Sequence, residues 1–112
     1  MHVADLARSI AFYELLGFTL ADTHEFRGEM VWAHLTNEQS RIFLVAADAP
    51  IDAGAQAVLF YLWTADVAAL RDHLIASEVP VSPITYPPYM PAGEIRIEDP
   101  DRYVLLIGEL RR

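Results

Sequence analysis

Leu6, Ile10, Tyr13 and Leu16 recur at helical spacing, with Phe12 beside them, and predict a helix over 6–16. Asp5 precedes it as an N-cap whose carboxylate can accept from the free amides of the first turn. Gly17 follows where a left-handed residue closes a helix. The period then shortens to that of strands, over 18–24, 29–35 and 41–47, with the tip Asn37-Glu38 between the second and third. Residues 48–55 are turn-rich and read as a linker.

Beyond the linker the pattern restarts. A strand is predicted over 57–63, and Ala65-Asp66-Val67-Ala68 repeats Ala4-Asp5-Leu6-Ala7 at a distance of 61 residues. The second helix, 67–77, turns Val67, Leu70 and Leu74 to its buried face. Strands follow over 81–84, 94–98 and 103–108, the last two joined by the turn Asp99-Pro100-Asp101-Arg102. Two βαβββ halves account for this order, the first strand of the first half being reduced to His2–Val3. The expected organisation is one α+β domain over 1–112, with module one at about 1–47 and module two at about 56–110.

Composition narrows the function classes. The chain of 112 residues is 54% hydrophobic and carries 8 basic against 16 acidic residues, a net charge of −8. Nucleic acid and anionic membrane surfaces both require basic patches, so neither is an expected partner. The apolar run 57–63 is too short to span a bilayer, and no basic segment followed by an apolar stretch opens the chain. The absence of cysteine removes disulfides, thiolate metal sites and cysteine nucleophiles. A cytoplasmic protein is expected.

The segments HVADLARSIAFYELLGF near the start and GEIRIEDPDRYVLLIGE near the end resemble the glyoxalase / bleomycin-resistance / extradiol dioxygenase superfamily. The resemblance spans nearly the whole chain. It implies two βαβββ modules whose mixed sheets form a cup with the helices outside, and a homodimer. It also implies a divalent metal held by His, Gln or Glu on four strands. Counted from Asp5, the first of these positions falls before Met1; the other three are Phe43, Leu59 and Leu106. Phe and Leu offer a divalent ion no ligand atom, so neither metal nor other cofactor is expected. Two departures from the family concern glycine: Glu78 matches Gly17 of the first half, and Arg102 stands where the terminal hairpin usually has glycine.

Strand alternation assigns the faces. Tyr61 and Trp63 share a face with Leu59; Glu94, Arg96 and Glu98 lie opposite Ile95 and Ile97; Trp32 and His34 share a face with Met30. With Phe43 and Leu106 these would line the cup, and the loop 85–92 would bring Tyr89 to its mouth. Such a lining suits a planar or apolar organic ligand. Arg96 matches the position where ring-cleaving dioxygenases carry an active-site tyrosine; it is placed either to meet an anionic ligand or to pair with Glu94 or Glu98. Trp32 and Trp63 serve either a ligand or packing, and His34 is either a general base or an ordinary strand histidine.

The expected function is metal-independent binding of an aromatic or anionic small molecule, as in bleomycin-resistance proteins. The alternatives are a lyase or dioxygenase-like enzyme with a site rebuilt around His34, Glu94 and Arg96, and a structural dimer with a filled cup. No catalytic residue is assigned.

Overall fold

Asp5 and Asp66 start the two helices in the same way, each carboxylate accepting from the backbone amide three residues on, Arg8 N at 3.1 Å and Ala69 N at 3.0 Å. The computed structural model describes residues 1–38, 40–47, 51–52 and 59–110, and the chain divides into two units, Met1–Ala55 and Gln56–Arg112. The linker expected at 48–55 lies outside the described residues except for Ile51 and Asp52, as do the first two residues of the strand expected at 57–63.

In the first unit the order is β1 (His2–Val3), α1 (Leu6–Leu15), β2 (Thr19–Phe26), β3 (Glu29–Asn37) and β4 (Ser40–Ala46). The sheet runs β1-β4-β3-β2, with β1 parallel to β4 and the remaining pairs antiparallel. Helix α1 packs on β2, β3 and β4, and its Leu6, Ile10 and Tyr13 are buried, as are Ala33, Leu35 and Leu44 of the sheet. Burying a leucine of this kind contributes about 1.5–3 kcal/mol. The opposite face of the sheet carries the alternate residues, among them Trp32, His34 and the half-exposed Phe43.

The second unit repeats the arrangement with β5 (Leu59–Thr64), α2 (Val67–Ala76), β6 (Glu94–Glu98) and β7 (Val104–Glu109). Its sheet runs β5-β7-β6, with β5 parallel to β7 and β6 antiparallel to it. Under α2 lie Ile95, Ile97, Leu105 and Ile107, all nearly inaccessible. The strand expected over 81–84 does not form. Prolines at 80 and 83 have no amide to donate, so contact with β6 shrinks to the bridge between Thr85 and Glu94 and a pair of bonds between Ser82 and Arg96. The segment still occupies the place that β2 holds in the first unit.

Both helices end in a Schellman motif. Phe18 N bonds Tyr13 O and Gly17 N bonds Glu14 O; Val79 N and Glu78 N make the matching bonds to Leu74 O and Ile75 O. The left-handed residue is Gly17 in the first case (φ 93°) and Glu78 in the second (φ 63°). The terminal hairpin closes on Asp99, whose carboxylate accepts from Asp101 N and Tyr103 N, both at 2.9 Å, while Arg102 takes a left-handed φ of 66°.

A side chain at a left-handed position costs roughly 1 kcal/mol relative to glycine. Glu78→Gly therefore raises the unfolding free energy by an amount of that order in denaturant melts, and Gly17→Ala lowers it. An unchanged or lowered stability for Glu78→Gly would show that the helix end is held by other contacts.

Candidate functional site

On the second sheet, the face turned away from α2 holds a closed group of polar contacts. Glu94 begins β6 and is only 6% exposed. Its Oε2 accepts from the Tyr61 hydroxyl at 2.7 Å and its Oε1 from the Tyr89 hydroxyl at 2.9 Å. Tyr61 comes from β5 and Tyr89 from the loop before β6, so one carboxylate ties strand, loop and strand together. The register sets Glu94 in line with Gly108 of β7 and Trp63 of β5, so Tyr61, in line with Leu106, reaches the carboxylate diagonally across Gly108.

Gly108 makes room for the group. A Cβ there would lie 2.7 Å from Tyr61 Oη and 2.8 Å from Met90 Cε. Met90 is buried in the space so left, which draws the proline-rich loop down onto the sheet and sets Tyr89 within reach of Glu94. Trp63 stands two residues from Tyr61 on the same face, half exposed, its ring 5.2 Å from the tyrosine ring and tilted by 56°.

Arg96 takes the ion-pair arrangement. Its guanidinium lies 3.5 Å from Glu98, which also meets Arg102 at 3.6 Å. All three side chains are well exposed, so these contacts add little to stability.

The first sheet carries a separate aromatic group. His34 stacks on Phe43 (4.5 Å, 9°), Trp32 meets Phe43 at 6.0 Å, and His24 stacks on Trp32 at 6.0 Å. The pairing of β2, β3 and β4 places these residues opposite one another. His34 Nε2 is shut off from solvent with no hydrogen-bond partner among the described residues. A buried polar atom left so costs about 1–3 kcal/mol.

Of the residues expected from the sequence, Trp32, His34 and Phe43 thus come together in the first unit, and Tyr61, Trp63, Tyr89 and Glu94 in the second, with Arg96 directed to Glu98. Gly108 is a part of the site that the sequence reading does not single out, and Met90 enters there only as an apolar residue of the loop 85–92. The glycine at 108 was the available signal, since a strand glycine often marks a close approach.

The metal implied by the family resemblance does not fit these side chains. Phe43 is occupied by stacking, Leu59 is exposed on β5, and Leu106 lies between Tyr61 and Arg96 in the register. Among the described residues no three His, Asp or Glu side chains come together to hold an ion. Nor is any helix among them long and apolar enough to cross a membrane.

Comparison with known proteins gives one family. The model described as Glyoxalase/Bleomycin resistance protein/Dioxygenase superfamily matches residues 1–107. Among solved structures, a bleomycin-binding protein complexed with bleomycin is similar at 18% identity and TM-score 0.77, covering 99% of this chain and 94% of that one. TnmS3, an antibiotic binding protein from Streptomyces sp. CB03234, is similar at 22% and 0.74, covering 99% and 93%. Lactoylglutathione lyase from Agrobacterium tumefaciens is similar at 20% and 0.71, covering 97% and 88%. No curated protein sequence matches significantly.

The Tyr-Glu-Tyr group has a titration signature. Burial first, then donation to Glu94, pushes the Tyr61 hydroxyl well above its ordinary value of 10; donation to Glu94, then burial, raises Tyr89. A group whose proton is held more tightly in the folded state gives stability that is complete below its unfolded value and lost as pH rises through the folded one. Denaturant midpoints should accordingly fall above about pH 10, and Glu94→Gln should flatten that fall. Absorbance titration at alkaline pH checks the origin: Tyr61→Phe and Tyr89→Phe should each remove a late-ionising phenol from the native titration.

Proposed function

This chain belongs to the Glyoxalase/Bleomycin resistance protein/Dioxygenase superfamily, and we propose that it binds a small organic molecule with aromatic character, without a metal. One observation carries this: partly exposed aromatic side chains stand on the sheet faces opposite the helices, and Phe43, Leu59 and Leu106, at the positions the resemblance matches to the family's metal ligands, offer no ligand atom. Aromatic surface of this kind stacks on planar ligands and gains little by facing water.

The fold itself hosts both binding proteins and lyases, so it does not decide between them. The side chains favour binding. Glu94 is committed to two phenol hydroxyls, Arg96 lies beside Glu98, and among the described residues no three His, Asp or Glu side chains come together as a donor set.

Titration with a panel of planar aromatic compounds should quench tryptophan fluorescence saturably. Trp63→Ala should weaken binding by roughly 1–3 kcal/mol without a steep loss of melting temperature, and a chelator should leave binding unchanged. Loss of binding on chelation, restored by a divalent ion, would replace this reading with a metalloenzyme. If no compound binds and Trp63→Ala melts the protein, the aromatic faces are packing surface.

The same reading includes a homodimer. The hairpin of β2 and β3 exposes Leu20, Phe26 and Met30, apolar surface that a second copy would cover. Sedimentation should show a dimer at micromolar concentration that Phe26→Glu shifts toward monomer; a wild-type monomer would contradict it.

A further inference from the structure

Glu94 is an almost fully buried carboxylate with no cationic partner among the described residues. The two arginines nearest in the hairpin are both directed to Glu98 instead. Buried charges are ordinarily paired, because leaving the solvent costs each ion several kcal/mol. Two phenol hydroxyls spread the charge of Glu94 without cancelling it. Around it stand three π faces, those of Tyr61, Trp63 and Tyr89, and Trp63 and Tyr89 are 50% and 65% exposed. Tyr61 and Trp63 meet at 56°, so their faces form a corner rather than a flat wall.

The hydrogen-bond bookkeeping gives the site a sign. A phenol has one proton to donate, and both Tyr61 and Tyr89 give theirs to Glu94. Their oxygens therefore have only lone pairs left for a ligand. Aromatic faces, phenol lone pairs and an uncompensated carboxylate all attract the same thing, a positively charged donor. An anionic ligand, which Arg96 alone would favour, would have to compete with Glu98 for that guanidinium and approach Glu94 as well.

We propose that Tyr61, Trp63 and Tyr89, backed by Glu94, form a recognition site for an organic ammonium group, the cation resting on the ring faces and donating to the phenol oxygens. This rests on the small-molecule reading above and specifies the ligand: an aromatic or alkyl amine, charged at neutral pH.

Three ligands of matched shape and different charge test it: naphthylethylammonium, naphthylethanol and naphthylacetate, titrated by calorimetry at neutral pH. The ammonium should bind roughly tenfold more tightly than the alcohol, and the acetate more weakly than either. Glu94→Gln should bring the ammonium and the alcohol to within about twofold of each other. Glu14→Gln removes the same charge from the exposed face of α1 and should leave the preference intact. Should Glu94→Gln fail to fold, Tyr89→Phe at an exposed position serves in its place, and its loss should be larger for the ammonium than for the alcohol. Binding of the alcohol or acetate as tight as the ammonium, or a preference that survives Glu94→Gln, overturns the ammonium site and leaves the small-molecule reading standing. Failure of all three ligands, together with the wider aromatic panel, overturns both.

Discussion

Each sheet in this protein has one helix, so only one of its two faces can be sealed by it. Strand alternation then divides every strand into two sets with different duties. Ile95, Ile97, Leu105 and Ile107 disappear under α2, while Glu94, Arg96, Leu106 and Gly108 are delivered to the other side of the same two strands. The first unit makes the same division, with Ala33, Leu35 and Leu44 beneath α1 and Trp32, His34 and Phe43 opposite. The aliphatic set secures the fold and leaves the other set free to differ in chemistry. A one-residue slip in any strand would exchange the two sets, so the packing under the helices also fixes which side chains a ligand can meet.

The polar group around Glu94 depends on that division and adds a constraint of its own. A buried carboxylate needs partners, and the strands supply only Tyr61, from β5 on the far side of β7. The second donor, Tyr89, comes from a loop held in place because Met90 fills the space above Gly108. A side chain at 108 would meet both Tyr61 and Met90, so a missing Cβ, a thioether and two hydroxyls form one unit. Their separate contributions are not additive, since removing any member leaves the others poorly placed or unsatisfied.

Much of this was legible in the sequence, for physical reasons that differ by element. Asp5 and Asp66 announce the helices because a cap must be a short acceptor, and Leu6, Ile10 and Tyr13 show the buried stripe because the helical period allows no other arrangement. The division of β3, β5 and β6 into two faces followed from alternation, whereas Leu106 of β7 was placed by the family resemblance. The segment 81–84 forms no strand because Pro80 and Pro83 cannot donate to a ladder, a signal present in the sequence beside the strand-like residues. What alternation cannot give is pairing. It placed Glu94, Arg96 and Glu98 on one face but not the commitment of Arg96 to Glu98, which depends on side-chain reach, nor that of Glu94 to Tyr89, which depends on the path of a loop.

The two units also show how far a scaffold and its chemistry can be separated. Apart from the strand that does not form at 81–84, they share strand order, an aspartate cap and a Schellman close, yet one tolerates Glu78 where the other has Gly17. The strain of that substitution is small beside the burial of Leu74 and its neighbours, so the fold absorbs it. The faces opposite the helices have diverged much further, one into stacked rings around His34, the other into rings around a carboxylate. An apolar residue at a position matching a metal ligand is tolerable on such a face because nothing in the core depends on it. Once Phe43, Leu59 and Leu106 stand there, the remaining attractive forces are those of ring faces and of the few polar atoms among them.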